Sequence, residues 1–184
     1  IAFIDKKKFE LTSLREDINQ RGRDTEVIFT DDWNKDAKRR DFTVNAIYLS
    51  VFGQLHDPLD GYKDLLNQNI RFIGDIEKRI TEDYIRIFRY FRFLGCFEKV
   101  KLIDGYEEVL KKNIPNIFKY INKEVMRNEI IKMLKNSFPA NSFRDFHNHK
   151  LKNNLINQVN YYWEKENYLL GLNRCMNHVD KYFS

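Results

Sequence analysis

Asp83 and Arg86 stand three residues apart in the stretch ITEDYIRIFRYFRF, and their chemistry is complementary. An ionised aspartate only accepts hydrogen bonds, and an arginine only donates them. At i and i+3 on one helical face the two side chains lie next to each other, an acceptor beside a donor. Adenine presents an amino donor next to its N1 acceptor, and cytosine an amino donor next to N3, so both edges match the pair. Uracil and guanine present a carbonyl beside an N–H and would leave it unsatisfied. A site that leaves buried polar groups unpaired rejects a ligand strongly. The competing reading is a plain intrahelical ion pair worth about 0.3–0.5 kcal/mol. The residues alone leave both readings open.

The same stretch carries Arg89 and Arg92, and no lysine stands among its cations. Arginine is the cation that presents a planar fork of donors to phosphates and base edges. A second basic group, Arg39-Arg40, opens the block RRDFTVNA. Two adjacent arginines at a helix end suit a triphosphate or a ribose through charge-assisted bonds, or form an ordinary basic surface pair. His147-Asn148-His149 lacks a third ligand nearby and reads as solvated surface rather than metal site. Tyr161, Tyr162, Trp163 and Tyr168 suit base stacking, but beside leucines at helical spacing they read as core. Lys111, Lys112, Lys119, Lys123, Lys132 and Lys135 either follow an RNA backbone or simply solvate their helices.

The elements that position these groups divide into an extended first part and a helical second part. Residues 1–30 favour strands, alternating around Phe3, Phe9, Leu11 and Ser13, and EDINQRGRDTEV (16–27) reads as a polar mobile loop. WNKDAKRR predicts a short helix capped near Asp31 or Asp32, followed by two strands around a turn at Phe52-Gly53-Gln54 and a short helix after DPLDG. Helices are expected over 81–96, 105–113, 122–136, 142–150, 151–165 and 166–182. Wound at about 3.6 residues per turn, ITEDYIRIFRYFRF and the following Leu94 place Ile80, Tyr84, Ile87, Phe88, Phe91 and Leu94 on one apolar arc of roughly 120°, opposite Glu82, Asp83, Arg86 and Arg89. The change from strands to helices near residue 70 is the expected domain boundary.

The bulk composition sets limits. The chain has 184 residues, 42% of them hydrophobic and 15% aromatic, as a folded protein with a sizeable core requires. A net charge of +5 is compatible with a nucleotide or nucleic-acid partner. Cys96 and Cys175 match no metal spacing, and a reduced, cytoplasmic setting is the simpler expectation. No apolar run approaches the ~18 residues of a membrane span. The first residue is Ile1 rather than Met, and the sequence reads as part of a longer chain.

Three blocks, RRDFTVNA, the DPLDG block with IRFIGD after it, and EDYIRIFRYFRF, stand in this order between residues 39 and 93, within a stretch of likeness that covers residues 9–135. With these blocks the chain resembles the bacterial-type tRNA nucleotidyltransferases (CCA-adding enzymes) and poly(A) polymerases, the class II branch of the polymerase-beta-like nucleotidyltransferases. The resemblance implies an α+β fold: the trailing part of a nucleotidyltransferase head at 1–70, a helical neck at 71–136 and the start of a helical body at 137–184. It implies template-independent transfer from ATP and CTP to the 3′ end of tRNA or another RNA, with Mg²⁺ as cofactor. Arg40 matches an arginine that contacts the incoming nucleotide, Asp83 and Arg86 match the pair that reads its base, and Arg89 and Arg92 match arginines lining the pocket. Glu10 falls where the family places a carboxylate on a strand near its metal. Asp57-Pro58 and Gly61 match a block read here as a turn supporting the head–neck junction. The family's metal motif, a glycine pair followed by Asp-x-Asp, has no counterpart in this chain, so no metal ligand set is expected within it. A fragment or split enzyme completed by a separate N-terminal polypeptide, or a non-catalytic nucleotide- or tRNA-binding remnant, both follow from that departure. An unrelated helical RNA-binding protein would make the three ordered blocks a coincidence.

Overall fold

The computed structural model describes residues 1–21, 24–100 and 102–142. The helices expected beyond 142, with His147, His149 and the aromatics at 161–168, lie outside the described residues. The chain forms two compact units, Ile1–Asp83 and Tyr84–Ser184, and the α+β class is as expected. Among the described residues no helix is long and apolar enough to cross a membrane.

The first unit is built on hairpins. Strands β1 (Ala2–Ile4) and β2 (Lys7–Phe9) pair antiparallel through a tight turn at Asp5 and Lys6, whose φ values of 49° and 65° suit a primed hairpin turn. β3 (Arg15–Arg21) and β4 (Asp24–Phe29) form a second hairpin, with a register shift between Ile18 and Arg21. This overturns the loop expected at 16–27. The segment is too polar to announce itself as strand, and tertiary ties hold it instead. The Arg15 N–H donates to Asp36, and Lys35 pairs with Glu16 at 2.8 Å.

Helix α1 (Trp33–Arg39) starts where its cap predicts, the Asp32 carboxylate accepting from the Asn34 N–H. The chain then turns through a 3-10 segment at Thr43–Asn45 into the short hairpin of β5 (Tyr48–Leu49) and β6 (Leu55–His56). Helix α2 (Gly61–Leu66) is capped by Asp57, which accepts from the N–H groups of Gly61 and Tyr62. Gly61 permits close packing there, because a Cβ would sit 2.1 Å from the Thr43 carbonyl oxygen. Residues 41–43 pair with 71–73, and Ala37, Ala46 and Ile73 form a buried cluster flanked by Tyr48 and Leu59. Helix α3 (Ile76–Glu82) closes the unit.

In the second unit α4 (Ile85–Leu94) packs on α5 (Tyr106–Tyr120) and α6 (Lys123–Leu134). Its buried face holds Ile87, Phe88, Phe91 and Leu94, as the periodicity predicts, together with Tyr90. Two expected helices need correction. The single helix at 81–96 is two, because Asp83 takes an extended backbone (φ −155°, ψ 106°) between α3 and α4. The helix expected to stop at 113 runs on through Pro115 to Tyr120, since Ile114 and Ile117 are fully buried.

Candidate nucleotide-recognition groups

The arginine pair at the end of α1 is built around a carboxylate that the sequence reading did not single out. Asp36 is fully buried. It lies three and four residues before Arg39 and Arg40, the spacing that stacks side chains along a helix. Arg39 Nη2 is 2.7 Å from Asp36 Oδ1, and Arg40 donates to Oδ2 from Nη2 at 2.8 Å and from Nε at 3.1 Å. The Tyr48 hydroxyl donates to Oδ2 at 2.8 Å and the Arg15 N–H to Oδ1 at 3.2 Å. Burial by itself pushes the Asp36 pKa up, but hydrogen bonds from Arg40, Tyr48, Arg39 and Arg15 outweigh it and hold the pKa at about 2. Burial and the bond to Asp36 push the Tyr48 hydroxyl up to about 12. The two arginines differ in access: the Arg39 side chain is 13% exposed and that of Arg40 32%. Arg40 is thus the member of the pair better placed to meet a ligand.

The backbone beneath the pair is held from α3. Buried Arg79 donates from Nη2 to the carbonyls of both Arg39 and Arg40, and from Nη1 to Glu82 at 2.7 Å. A guanidinium thus satisfies carbonyls that the end of α1 leaves without helical partners. Asp41 accepts from the Phe42 N–H and the Asn45 amide, and Thr43 donates to Asp64 at 2.6 Å, where Arg71 also binds. The conspicuous residues of RRDFTVNA are therefore largely committed to shaping this turn.

Asp83 ends the first unit in the extended peptide ahead of α4, so it is not the helical neighbour that periodicity implied. In the second unit Arg86, Arg89 and Arg92 recur every three residues along α4. Arg86 is 8% exposed and stands in a first turn that contains no acidic residue. Arg92 Nε lies 3.5 Å from Glu129 on α6, and its guanidinium sits 5.0 Å from the centroid of the Phe93 ring.

Glu10 lies just past the end of β2, 76% exposed and paired with Lys8 at 2.7 Å. That pairing, through hydrogen bond and charge, lowers its pKa. Among the described residues no group of three or more His, Cys, Asp or Glu side chains is placed to hold a metal ion. The described residues do not fit a Mg²⁺ site.

The sequence matches the Poly A polymerase head domain over residues 1–71. It is 51% identical over 94 residues to the mitochondrial CCA tRNA nucleotidyltransferase 1 of Homo sapiens, covering 51% of this chain and 22% of that protein. It is 36% identical over 129 residues to the CCA-adding enzyme of Lactobacillus helveticus, covering 69% of this chain and 32% of that protein. The solved Bacillus stearothermophilus CCA-adding enzyme in complex with CTP superposes with a TM-score of 0.57 at 34% identity, covering 64% of this chain and 29% of that one. A CCA-adding enzyme in complex with ATP superposes with a TM-score of 0.54 at 30% identity, covering 63% and 28%. The chain spans about a fifth to a third of the length of the curated relatives it matches. By sequence and by fold, the chain belongs to the CCA-adding tRNA nucleotidyltransferase family.

Proposed function

We propose that this chain supplies the nucleotide-recognition part of a template-independent nucleotidyltransferase that adds ATP- and CTP-derived nucleotides to tRNA 3′ ends. The observation that carries this reading is the row of Arg86, Arg89 and Arg92, three guanidinium groups recurring every three residues along α4. A guanidinium presents a planar fork of donors that suits phosphate oxygens and the acceptors of a base edge. Arg89 and Arg92 extend the same charge along the helix, and Arg40 adds a guanidinium for the phosphates or ribose. On the family resemblance, Asp83 is assigned to accept from the amino group of adenine or cytosine and Arg86 to donate to the adjacent ring nitrogen. The relatives solved with CTP and with ATP support this choice of nucleotides.

On this reading residues 1–70 belong to the head, 71–136 to the neck and 137–184 to the body. Transfer itself requires carboxylates that hold Mg²⁺, and these come from a further segment or a separate N-terminal polypeptide, with the assembly working in the cytoplasm. The test is a transfer assay with labelled ATP and CTP on tRNA lacking its 3′ end, using this chain alone and with the head segment of a relative. Incorporation only in the second case supports the reading. Binding of ATP without incorporation in either case would instead identify a non-catalytic nucleotide-binding module. Absence of any ATP or CTP binding by the chain would overturn both.

A further inference from the structure

Building on the nucleotide-binding role proposed for Arg40, we infer that Asp36 and Arg79 are positioning residues that hold Arg40 in its ligand-facing pose. Arg40 is reached from two sides. Its side chain is fixed at Nε and Nη2 by a single oxygen of Asp36, which is itself immobilised by Arg39, Tyr48 and the Arg15 N–H. Its backbone is fixed through the carbonyls of Arg39 and Arg40, both bound by Nη2 of Arg79, with Glu82 holding the other arm of that guanidinium. An arginine side chain otherwise spreads over many rotamers, and freezing it on binding is a cost that preorganisation removes. Asp36 also sets the local charge. One buried carboxylate against Arg39 and Arg40 leaves the cluster with a net positive charge, so the anchor orients Arg40 without cancelling its attraction for phosphate. Neither Asp36 nor Arg79 needs to touch the nucleotide. Their effect passes through Arg40.

The test is a binding cycle on the full chain with ATP as probe, read beside the ¹⁵N resonance of the Arg40 Nε–H. In the unmodified chain that proton is expected to exchange slowly, because Asp36 accepts from it. Asp36→Asn should broaden or lose the resonance and weaken ATP binding by roughly fivefold to tenfold. Arg79→Lys, which keeps the charge but cannot span two carbonyls, should do the same to a smaller extent. In an Arg40→Ala background, Asp36→Asn and Arg79→Lys should cost nothing further. Equal losses in the two backgrounds, or an unchanged resonance and affinity in folded Asp36→Asn, overturn the inference. An Arg40→Ala chain that binds ATP like the unmodified one overturns the nucleotide reading of Arg40 instead, and the resonance still reports whether the anchor exists. If Asp36→Asn does not fold by circular dichroism, Tyr48→Phe removes one donor from the same oxygen and should give a smaller loss of the same sign. No change in Tyr48→Phe would then count against the anchor.

Discussion

Burial works against the ionised form of Asp36, yet the donors converging on it win, and its pKa settles at about 2 against about 3.9 in an unfolded chain. The folded value is the lower of the two. The carboxylate therefore contributes stability that is fully present above the unfolded pKa and disappears as pH falls from about 4 through about 2, a contribution of ~2 kcal/mol. Urea unfolding at pH 7 and again at low pH should show this loss, and Asp36→Asn should flatten that acid limb. At neutral pH the same substitution should destabilise the chain by about 3 kcal/mol, because Arg39 and Arg40 lose their shared partner in a largely buried place. Asp83 answers to a different measurement. Asp83→Ala should weaken ATP and CTP binding and narrow the gap to UTP and GTP, as read by competition binding on this chain. An unchanged order of affinities among the four nucleotides would remove the base-reading role.

Helix α2 meets the 3-10 segment so closely that Gly61 has no room for a side chain. A Cβ would stand 2.1 Å from the Thr43 carbonyl oxygen, a backbone atom that cannot rotate aside. Gly61→Ala should therefore cost about 1–3 kcal/mol in thermal or urea unfolding, despite alanine's better helix propensity. Such contacts mark the limit of what sequence discloses. Elements with local punctuation were legible: α1 from its Asp32 cap and the β5–β6 hairpin from its turn at Gly53, φ 79°. Elements held by distant partners were not. The β3–β4 hairpin reads as loop because its support comes from Asp36 and Lys35 on α1. The extended residue at Asp83 carries neither glycine nor proline to announce a break. The helix expected to end at 113 runs on through Pro115, because the buried Ile114 and Ile117 carry it. The candidate site divides in the same way. The arginines were visible as residue types, and their roles came from three ordered blocks. Asp36 was visible only as an i, i+4 neighbour, a spacing too common to select it.

Across the whole molecule the excess of +5 is modest, so any grip on tRNA depends on where the unneutralised cations stand. Four lysines on α5, on α6 and at the end of α6 divide into two kinds. Lys111 pairs with Glu107, and Lys132 pairs with Glu129 at 2.6 Å, so each is already partly discharged. Lys119 and Lys135 are exposed, the first lying 5.0 Å from the centroid of the Tyr120 ring. A single-stranded RNA end releases counterions for each phosphate it gives up, so the logarithm of the binding constant falls with the logarithm of salt by about 0.7 per contact. Lys119→Ala and Lys135→Ala should each reduce that slope by about this amount if the lysine faces the backbone. Lys111→Ala should change it far less, because the charge of Lys111 is already engaged by Glu107. Filter binding of tRNA to the full chain over a range of potassium chloride measures all three slopes. Parallel slopes for every variant would make these lysines solvating groups and confine the chain's recognition of its substrate to the nucleotide.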